Sequence, residues 1–315
     1  MKPRLDVVIV NWNAGDQLRA CLESLTKVSA TQIELCRVVV VDNASSDRSA
    51  DNLAGLSLPL ALIRNSKNRG FAAACNQGAN GTSADYVLFL NPDTQLFKDS
   101  FEIPIAFMEQ EENGSVGICG IQLVNAVKEV SRTCARFPTL PQFLYRLIGI
   151  DVLVPGVFRP HFMIEWPHLE SRQVDHVMGA FFLVRGELFE KLGGFDERFF
   201  VYFEDVDFSL RASRAGFLSY YLAEAQAFHK GCGTSDQIRA TRLFYSHRSR
   251  LLYGFKHFNL FSALALLVCT AVIEPFPRLV RAAFRCSKSE VIETLSAHWR
   301  LLRALPAIIR RSCKP

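Results

Sequence analysis

The sequence lacks the glycine-rich turn GxGxxG, because the residues after its first apolar run read NWNAGDQLRAC. Dinucleotide-dependent oxidoreductases carry that turn between the first strand and the first helix, so we exclude this class of enzyme. The nine cysteines include no CxxC pair and lie mostly within apolar runs such as GICGI. We therefore expect reduced, mostly buried thiols of a cytosolic protein. A Ser-His-Asp pattern or a nucleophilic cysteine pattern is also missing, so covalent catalysis is not expected.

Signals for export or for crossing a membrane are missing as well. The start, MKPRLDVVIV, has a short apolar stretch with no small-residue cleavage site after it, so we expect no signal peptide. The apolar run LFSALALLVCTAVI at 260–273 has 14 residues. This is short of the roughly 20 residues that span a bilayer.

Charge is sparse and uneven along the chain. Charged residues make up 21% of the sequence, and the net charge is +5. Residues 278–315 contain nine Lys or Arg and two Glu, so this tail carries +7 and the rest of the chain about −2. A basic tail beside an apolar run is typical of a segment that lies on an anionic membrane surface, and a buried helix with a solvated tail is the alternative. Nucleic-acid binding is not expected, because the tail lacks interleaved aromatic readers.

Strands and helices alternate over the first 125 residues. Continuous apolar runs predict the strands LDVVIVN, RVVVVDN, LPLALIRN, DYVLFLN and VGICGIQLV. Helices are expected between them, near 18–25, 47–56, 70–82 and 99–110. Such runs suit strands that are covered on both faces, so the predicted fold class is α/β with a doubly wound, mainly parallel sheet.

The rest of the chain divides into three stretches. Residues 137–172 hold five prolines and little periodicity, which predicts a long, partly ordered insertion. A strand in VDHVMGAFFLVR, a helix in GELFEKLGGF, a helix at 204–215 and a strand in FLSYYLAEAQAFH follow. The pattern is helical from about residue 236. We predict one domain over 1–235, divided near residue 125, and a helical extension over 236–315.

The carboxyl ends of the predicted strands are polar, and they read VNWN, VDNASSD, IRNSKNRG and LNPDT. Ligands of doubly wound sheets bind at this edge, so we expect a ligand site there. Asp93, in LNPDT, has two interpretations. The first is structural, because Asn, Pro and Asp are residues that favour turns. A carboxylate at a strand tip can also hold Mg²⁺ or Mn²⁺ beside a substrate phosphate.

Three acids, Glu204, Asp205 and Asp207, start the predicted helix in FFVYFEDVDFSLR. Acids stabilise helix N-termini by about 0.3–1 kcal/mol each, so a structural role is one interpretation. The aromatic residues before them indicate an apolar setting, in which a carboxylate can serve as a general base.

His229 ends the last predicted strand and enters the loop of AFHKGCGTS. A single histidine is more often structural, but together with Asp93 it is a candidate second metal ligand. Lys230 and the backbone N–H groups of the loop are candidates for binding phosphate.

Seven segments occur in a characteristic order, namely VVIVNWN, VVVVDNASSD, NRGFAAACNQG, YVLFLNPDT, GAFFLVR, GGFDERFFVYFEDVDFSLR and FHKGCGTS. This order resembles family 2 glycosyltransferases over roughly residues 5–235, and most closely the rhamnosyltransferase-like branch that builds bacterial surface polysaccharides. The resemblance implies a GT-A fold, a nucleotide-diphospho-sugar donor, a divalent cation (Mg²⁺ or Mn²⁺) and inversion at the anomeric carbon. It also implies that residues 1–125 bind the donor nucleotide and that residues 126–235 bind the acceptor and carry catalysis.

The resemblance further implies roles for single residues. Asp42 is similar to the acid that contacts the donor base or ribose, and Asp93 to the last acid of the Asp-x-Asp metal motif. Asp205, with Glu204 beside it, is similar to the catalytic base. His229 is similar to a histidine that some members add to the metal site. The other donor-binding residues implied in this way are Asn13, Asn68, Gly70, Asn76 and Asn91.

Two positions depart from the family pattern. Asn91 replaces the first acid of Asp-x-Asp, a variant that is frequent in the rhamnosyltransferase-like branch. It gives a less charged metal site, which would need the donor diphosphate to bind the cation. Cys232 stands in a loop where small residues are usual, and the sequence offers no account of it.

The implied reaction is the transfer of a sugar, with L-rhamnose from dTDP-rhamnose favoured, to a polyprenyl-diphosphate-linked saccharide. The implied location is the inner face of the cell membrane. A UDP-hexose or UDP-galactofuranose donor is left open. A non-catalytic homologue that acts as an assembly partner is also left open. Asn91 is its best support, and the presence of Asp93, Asp205 and His229 counts against it.

Overall fold

The computed structural model describes residues 1–51, 53–154, 156–231 and 239–312. The chain forms two compact units. A sheet unit contains Met1–Phe137, Phe162–Glu197 and Glu204–Thr234, and a helical unit contains Pro138–His161, Arg198–Phe203 and Ser235–Pro315. Two segments within the predicted domain over 1–235, Pro138–His161 and Arg198–Phe203, belong to the helical unit. The predicted domain boundaries stay a prediction. Cys232 lies outside the described residues.

The strands are β1 (Arg4–Asn11), β2 (Glu34–Asp42), β3 (Leu60–Arg64), β4 (Tyr86–Leu90), β5 (Thr94–Leu96), β6 (Val116–Val124), β7 (Cys134–Ala135), β8 (Arg172–Val174), β9 (His176–Val177), β10 (Phe181–Arg185) and β11 (Leu218–His229). The helices are α1 (Asp16–Leu25), α2 (Phe71–Ala79), α3 (Glu102–Glu109), α4 (Leu140–Ile148), α5 (Ile150–Leu153), α6 (Gly186–Lys191), α7 (Glu204–Arg214), α8 (Arg239–His257), α9 (Leu260–Val268), α10 (Pro275–Phe284) and α11 (Lys288–Ser312).

The predicted alternation of strands and helices is present, with one exception between β2 and β3. The helix predicted near 47–56 is wrong, because the described residues of that segment form turns. The Asp47 carboxylate accepts hydrogen bonds from the Ser49 backbone N–H at 3.0 Å and from the Ser49 hydroxyl at 2.7 Å. Short polar side chains that bond the nearby backbone compete with helix formation in this way.

The main sheet has the strand order β3-β2-β1-β4-β10-β6-β11-β5, with β8 paired to β11. The first four of these strands are mutually parallel. β10 runs antiparallel to both β4 and β6, and β11 runs parallel to β6. The carboxyl ends of β1, β2, β3, β4, β6 and β11 therefore meet the amino end of β10 at one edge of the sheet. The predicted α/β class with a mainly parallel sheet is confirmed.

Apolar residues cover both faces of the sheet, as continuous apolar strands require. Every residue of β4 and of β6 is buried. One face packs against α1 and α3 through residues such as Leu18 and Ile105, and the other against α2 and α7 through residues such as Cys75 and Phe208. The sheet is thus a rigid support for the polar groups at its edge.

The insertion predicted over 137–172 is more regular than expected. It contains α4 and α5, and α4 starts with a capping box between Thr139 and Gln142. The sequence carried this signal as Thr-x-x-Gln before an apolar run. Both helices belong to the helical unit.

In the helical unit, the apolar run of 260–273 continues through α10 as one helix. A π-helical turn at Cys269–Ile273, in which the Glu274 N–H bonds to the Cys269 carbonyl at 2.8 Å, leads into Pro275 without a break. The continuous helix Leu260–Phe284 has 25 residues and contains an 18-residue window with a mean hydropathy of 1.9, of which 22% is buried. Within the described residues it is the one helix that is long and apolar enough to cross a membrane, by length and composition alone. The run of 14 residues therefore understated the apolar helix.

Candidate active site

The tips of β1 and β2 bring Asn11 and Asp42 together, since the two residues are partners in the parallel ladder. The Asn11 amide donates to Asp42 Oδ1 at 2.9 Å, and the Arg64 guanidinium lies 3.9 Å from Asp42 Oδ2. Asn11 is 0% exposed and Asp42 is 5% exposed. The Asp42 carboxylate is therefore fixed in place and partly charge-compensated at the sheet edge.

Asn13 and Asn68 shape the loops at this edge through their own side chains. The Asn13 amide oxygen accepts a hydrogen bond from the Ser46 N–H at 2.7 Å, which joins the loops after β1 and β2. The Asn68 amide oxygen accepts from Asn43 and from the Gly70 N–H, both at 2.9 Å. Gly70 precedes α2 with a φ of 90°, a backbone conformation that favours glycine. Direct donor contact by Asn13, Asn68 or Gly70 stays a prediction.

Asn76, on α2, binds the turn that follows α6. Its amide donates to the Phe195 carbonyl at 2.8 Å and accepts from the Phe195 N–H at 2.9 Å. It also donates to Glu197 at 3.2 Å. A Cβ added to Gly194 would lie 2.6 Å from the Asn76 amide oxygen, so the two groups pack closely. Asn76 has a clear structural role here, and its predicted donor contact stays a prediction.

Asp93 and His229 meet because β5 pairs antiparallel with β11, with Thr94 opposite His229. A turn closed by a hydrogen bond from the Thr94 N–H to the Asn91 carbonyl at 3.1 Å carries Asp93 to the edge. His229 Nε2 lies 3.3 Å from Asp93 Oδ1, and the side chains are 11% and 13% exposed, respectively. Asp93 therefore lies in a turn and beside His229, and its role as a metal ligand stays a prediction.

The donor atoms of Asp93 and His229 fit a divalent cation. A carboxylate oxygen and an imidazole nitrogen are both common ligands of such ions. Their separation of 3.3 Å is close to that of two neighbouring ligands with bonds of about 2.0–2.1 Å. Among the described residues, no group of three or more His, Cys, Asp or Glu side chains forms a complete metal site. Mg²⁺ is commonly held by one or two protein ligands together with water and substrate phosphate, so a pair of ligands is sufficient.

Asp205 lies in the first turn of α7 and is held by backbone N–H groups. Its Oδ2 accepts a hydrogen bond from Gly179 at 3.0 Å, and its Oδ1 accepts from Val206 at 2.9 Å. A Cβ on residue 179 would lie 3.1 Å from Asp205 Oδ2, so a glycine permits this close approach. The Asp205 side chain is 16% exposed. Two N–H donors thus orient a carboxylate that solvent still reaches.

Glu204 is buried next to Asp205. Its side chain leaves Oε2 without a hydrogen-bond partner among the described residues. Burial, with Asp205 and Asp207 nearby, raises the pKa of Glu204 well above its usual value of 4.5 and favours the uncharged acid. Asp207 instead forms an ion pair with Arg211 at 2.8 Å. Asp205, whose side chain is partly exposed and is oriented by two N–H donors, is the better placed of the two predicted catalytic acids.

The start of β10 connects the Asp205 region with the Asp93 region. Gly179 binds the Asp205 carboxylate through its N–H. The carbonyl of the next residue, Ala180, accepts a hydrogen bond from the Thr94 hydroxyl at 3.3 Å, and Thr94 directly follows Asp93. Two consecutive residues therefore tie both candidate carboxylates to one strand end.

Two residues that contact Asp205, His176 and Ser209, were not identified as site residues from the sequence. His176, on β9, places Nε2 3.6 Å from Asp205 Oδ2, and its Nδ1 lies 3.3 Å from Ser209 Oγ. The Ser209 hydroxyl donates to the Asp205 carbonyl at 2.8 Å. A spacing of four residues puts Ser209 one helical turn from Asp205, which the sequence did show. Nothing in VDHVMG distinguishes His176 from a structural histidine.

The model of the family described as Glycosyl transferase family 2 matches residues 6–193, which is more than half of the chain. The chain belongs to glycosyltransferase family 2. The matched range includes Asp42 and Asp93, whereas Asp205 and His229 lie beyond it.

This glycosyltransferase is similar over most of its length to two proteins named rhamnosyltransferases. It is 26% identical over 266 residues to the N-acetylglucosaminyl-diphospho-decaprenol L-rhamnosyltransferase of Mycobacterium tuberculosis, covering 79% of this chain and 83% of that protein. It is 27% identical over 231 residues to the rhamnosyltransferase WbbL of Escherichia coli strain K12, covering 71% of this chain and 82% of that protein.

A solved structure shares the fold of this glycosyltransferase. The mannosyltransferase PcManGT from Pyrobaculum calidifontis, in complex with GDP-Man and Mn²⁺, aligns with a TM-score of 0.56 at 14% identity and covers 96% of this chain and 88% of that chain. At this level of identity the likeness concerns the fold, and the predicted GT-A fold is confirmed.

Proposed function

We propose that this protein transfers L-rhamnose from dTDP-rhamnose to a polyprenyl-diphosphate-linked saccharide in surface-polysaccharide biosynthesis, with inversion at the anomeric carbon. Family membership and the relatives named rhamnosyltransferases support the reaction class and the sugar. The acceptor named for the mycobacterial relative supports a lipid-linked acceptor. The main structural support is that Asp93 with His229, and Asp205 with its two N–H donors, are tied to one sheet edge.

Asp93 and His229 are the residues that would hold Mg²⁺ or Mn²⁺. The bound cation would offset the negative charge that develops on the leaving diphosphate. Because Asn91 supplies no charge, Asp93 gives the pair its single carboxylate, and the donor diphosphate is expected to complete the site. The presence of Mn²⁺ in PcManGT supports a divalent cation in this fold.

Asp205 is the proposed general base. The acceptor hydroxyl gives its proton to the Asp205 carboxylate, and its oxygen bonds to the anomeric carbon from the face opposite the diphosphate. The bond from the anomeric carbon to the diphosphate oxygen breaks, and its electron pair leaves with the nucleoside diphosphate. One displacement inverts the configuration, and general-base catalysis contributes about 10²–10⁴ in rate.

The donor nucleotide is proposed to lie along the tips of β1, β2 and β3, within the predicted donor half 1–125. The Asp42 carboxylate, which Asn11 and Arg64 fix in position, is the proposed contact of its base or ribose. The loops that Asn13 and Asn68 organise would line the same groove. Residues 126–235 would supply the acceptor side and the base.

We also propose that the protein is peripheral on the cytoplasmic face of the cell membrane. Exposed large apolar side chains recur at helical spacing along one face of the helix 260–284, namely Phe261, Leu264, Val268, Val272, Phe276, Val280 and Phe284. The other face is buried through Ala263, Leu266, Thr270, Glu274 and Ala282. An exposed apolar stripe of this kind is typical of a helix that lies in a membrane interface.

The charges of the helical unit also suit an anionic membrane surface. Exposed cations of its last two helices and the turn between them are Arg281, Arg285, Lys288, Arg300, Arg303 and Arg310. Between 239 and 312, where every residue is described, the acids Glu274, Glu290 and Glu293 are buried or half-buried, so none is exposed. Each Lys or Arg near an anionic bilayer contributes about 1 kcal/mol.

Glu274 favours a position on the membrane surface over one across it. Its carboxylate accepts hydrogen bonds from Arg250 at 2.6 Å, Arg278 at 2.7 Å and His247 at 3.1 Å. Burial alone would raise the pKa of Glu274, but Arg250 and His247 hold it well below its usual range. A charged network that pins the middle of the helix to α8 would be costly inside a bilayer.

Donor turnover tests the proposed reaction. The protein is incubated with Mg²⁺ or Mn²⁺, a crude lipid-linked acceptor fraction and a panel of dTDP- and UDP-sugars, and release of the nucleoside diphosphate is measured. We expect metal-dependent release from dTDP-rhamnose that is lost in Asp205→Asn. If only a UDP-hexose or UDP-galactofuranose is turned over, the assignment of dTDP-rhamnose as the donor is wrong. Equal background rates for the wild type and Asp205→Asn with every donor would favour the non-catalytic assembly partner.

Vesicle binding tests the proposed location. We expect the protein to sediment with vesicles that contain phosphatidylglycerol and much less with pure phosphatidylcholine. A Phe276→Ser, Phe284→Ser double variant should lose most of this binding. Phe97→Ser changes an exposed phenylalanine of the sheet unit and should keep it. Equal binding by both variants would contradict the assigned face.

A further inference from the structure

The hydrogen bonds of His176 define which of its nitrogens carries a proton. A serine hydroxyl has one proton to donate, and that of Ser209 goes to the Asp205 carbonyl at 2.8 Å. Ser209 Oγ, 3.3 Å from His176 Nδ1, is therefore the acceptor in that contact. It follows that Nδ1 of His176 carries the proton.

The other nitrogen of His176 faces the proposed base. Burial lowers the pKa of His176 from its usual 6.5, while Asp205 and Asp175 act in the opposite direction. The neutral imidazole has one donor nitrogen and one acceptor nitrogen, so its Nε2 is the acceptor. That lone pair lies 3.6 Å from Asp205 Oδ2. An acceptor nitrogen against a carboxylate oxygen gains a hydrogen bond only when a proton lies between them.

The titratable groups on the elements that pack around β9 do not supply that proton. β7 and β11, which also pack around β9, carry Cys134 and Tyr221, and burial raises the pKa of both groups. Both therefore stay protonated and uncharged. On α7, Glu204 is held in its acid form by burial and by its acidic neighbours. The proton that Asp205 takes during the reaction is the one that can lie between Asp205 Oδ2 and His176 Nε2.

We propose that His176 is a positioning residue that acts through Asp205, accepting at Nε2 a hydrogen bond from the proton that the carboxylate takes from the acceptor hydroxyl. This inference rests on the proposed function, in which Asp205 is the base. The acceptor O–H bond breaks, the proton goes to the Asp205 carboxylate, and it is shared with Nε2 until solvent removes it. The acceptor oxygen forms its bond to the anomeric carbon, and the leaving diphosphate takes the electron pair of the bond that breaks.

The geometry before reaction suits this role. Hydrogen bonds between oxygen and nitrogen measure about 2.7–3.2 Å, so the contact of 3.6 Å must shorten by about half an ångström once Asp205 is protonated. Catalytic hydrogen bonds are often long in free enzymes and shorten when substrate is bound. Ser209 holds the ring from one side, and Gly179 holds the carboxylate from the other.

The test compares His176→Gln, Ser209→Ala and His168→Gln in full-length protein. His168 is a second histidine of the sheet unit whose pKa burial lowers, and it bonds to the Cys134 N–H and the Trp166 carbonyl rather than to Asp205. The measurements are kcat and KM for donor and acceptor across pH, with thermal unfolding as a control for folding. His168→Gln controls for the loss of a buried imidazole.

In the wild type we expect kcat to fall at low pH as His176 becomes protonated, because an imidazolium cannot accept the proton. His176→Gln should lower kcat by about tenfold, less than the roughly 10²–10⁴ attributed to the base itself, with unchanged KM. Its acid limb should move to lower pH. Ser209→Ala should show a smaller effect of the same kind. His168→Gln should lower the melting temperature and leave the acid limb in place.

Unchanged kcat and acid limb in His176→Gln, while Asp205→Asn is inactive, would overturn this inference and leave the proposed function standing. A lower kcat with an unmoved acid limb would show a structural role and also overturn it. Should His176→Gln not fold, Ser209→Ala decides the matter by the same two readouts. Wild-type turnover in Asp205→Asn would overturn the base assignment and the inference together.

Discussion

The candidate site contains two aspartate–histidine pairs whose surroundings differ. Asp93 and His229 lie 3.3 Å apart at the tips of neighbouring strands, and both side chains are partly exposed. Asp205 and His176 lie 3.6 Å apart, and the histidine there is buried. Two backbone N–H groups donate to the Asp205 carboxylate. Within the described residues, the Asp93 carboxylate has no such donor, and His229 is its partner.

The difference shows how surroundings assign different chemistry to the same two side chains. A carboxylate held by two N–H donors keeps its orientation without an added cation, and the partial exposure of Asp205 leaves it accessible to a proton donor. A carboxylate and an imidazole that are each other's partner among the described residues can offer their lone pairs to a cation. The Asp93 pair is therefore suited to bind a metal, and the Asp205 pair is suited to move a proton.

Replacing Asp205 separates the two pairs most strongly. Asp205→Asn keeps the size of the side chain and removes its ability to accept a proton, so we expect kcat to fall by about 10²–10⁴. Mn²⁺-dependent binding of the donor nucleotide, measured by titration calorimetry, should change little. An equal loss of metal-dependent binding would erase the distinction between the pairs.

Replacing Asp93 should mainly affect metal binding, in contrast to the replacement of Asp205. Mutating a residue that hydrogen-bonds to a metal ligand typically lowers metal affinity by about 10–100-fold. Because Asp93 is itself a proposed ligand, we expect Asp93→Asn to weaken Mn²⁺ affinity by more than this. His229→Gln should have a smaller effect, because it removes a neutral ligand and leaves the charge. Electron paramagnetic resonance of free Mn²⁺ in the presence of donor nucleotide measures both, and Asp205→Asn is the matched control. Wild-type Mn²⁺ affinity in Asp93→Asn would contradict the metal assignment.

A methyl group at residue 179 should disturb the Asp205 pair alone. The added Cβ would lie 3.1 Å from Asp205 Oδ2, so the carboxylate has to shift by a few tenths of an ångström. Because small misplacements of reacting groups are costly, we expect Gly179→Ala to lower kcat by about tenfold. Mn²⁺ affinity should be unchanged.

Gly156→Ala is the control for this change, since a Cβ at residue 156 meets nothing within 4 Å. Steady-state kinetics of both variants, with thermal unfolding, decide the outcome. A Gly179→Ala enzyme as active as Gly156→Ala would show that the contact between Gly179 and Asp205 is not needed for positioning.

Replacing Glu204 should have the smallest effect on kcat and a distinct effect on stability. Folded Glu204 has a raised pKa, so above its unfolded value of 4.5 the folded state binds more protons than the unfolded state. The free energy of unfolding therefore decreases as the pH rises above that value towards the folded pKa. Glu204→Gln removes this loss, so its melting temperature should fall less than that of the wild type between about pH 5 and pH 8.

Calorimetry across this pH range, paired with kinetics, tests the prediction for Glu204. We expect kcat near the wild-type value, since the buried acid has no direct role in proton removal. A collapse of kcat in Glu204→Gln, together with an active Asp205→Asn, would transfer the role of base to Glu204.

Local sequence patterns predicted most of the sheet and three of the four side chains in the two pairs. Continuous apolar runs marked the strands, and polar residues at their ends marked Asp93 and His229. The acids of FFVYFEDVDFSLR marked Asp205. The predicted helix near 47–56 failed because Asp47 and Ser49 bond to each other and to the local backbone. The full length of the apolar helix was missed because Pro275 looks like a stop, whereas the π-helical turn before it continues the helix.

The sequence alone determined the residue types at the sheet edge, because buried strands need apolar runs and their exposed ends need polar ones. Tertiary structure decided which of these residues meet. Asp93 reaches His229 through the pairing of β5 with β11, and Asp205 reaches Gly179 because β10 is inserted antiparallel between β4 and β6. These partners are far apart along the chain, so no local periodicity encodes their contact. The role of His176 follows from the same cause, since only packing against α7 brings it to the base.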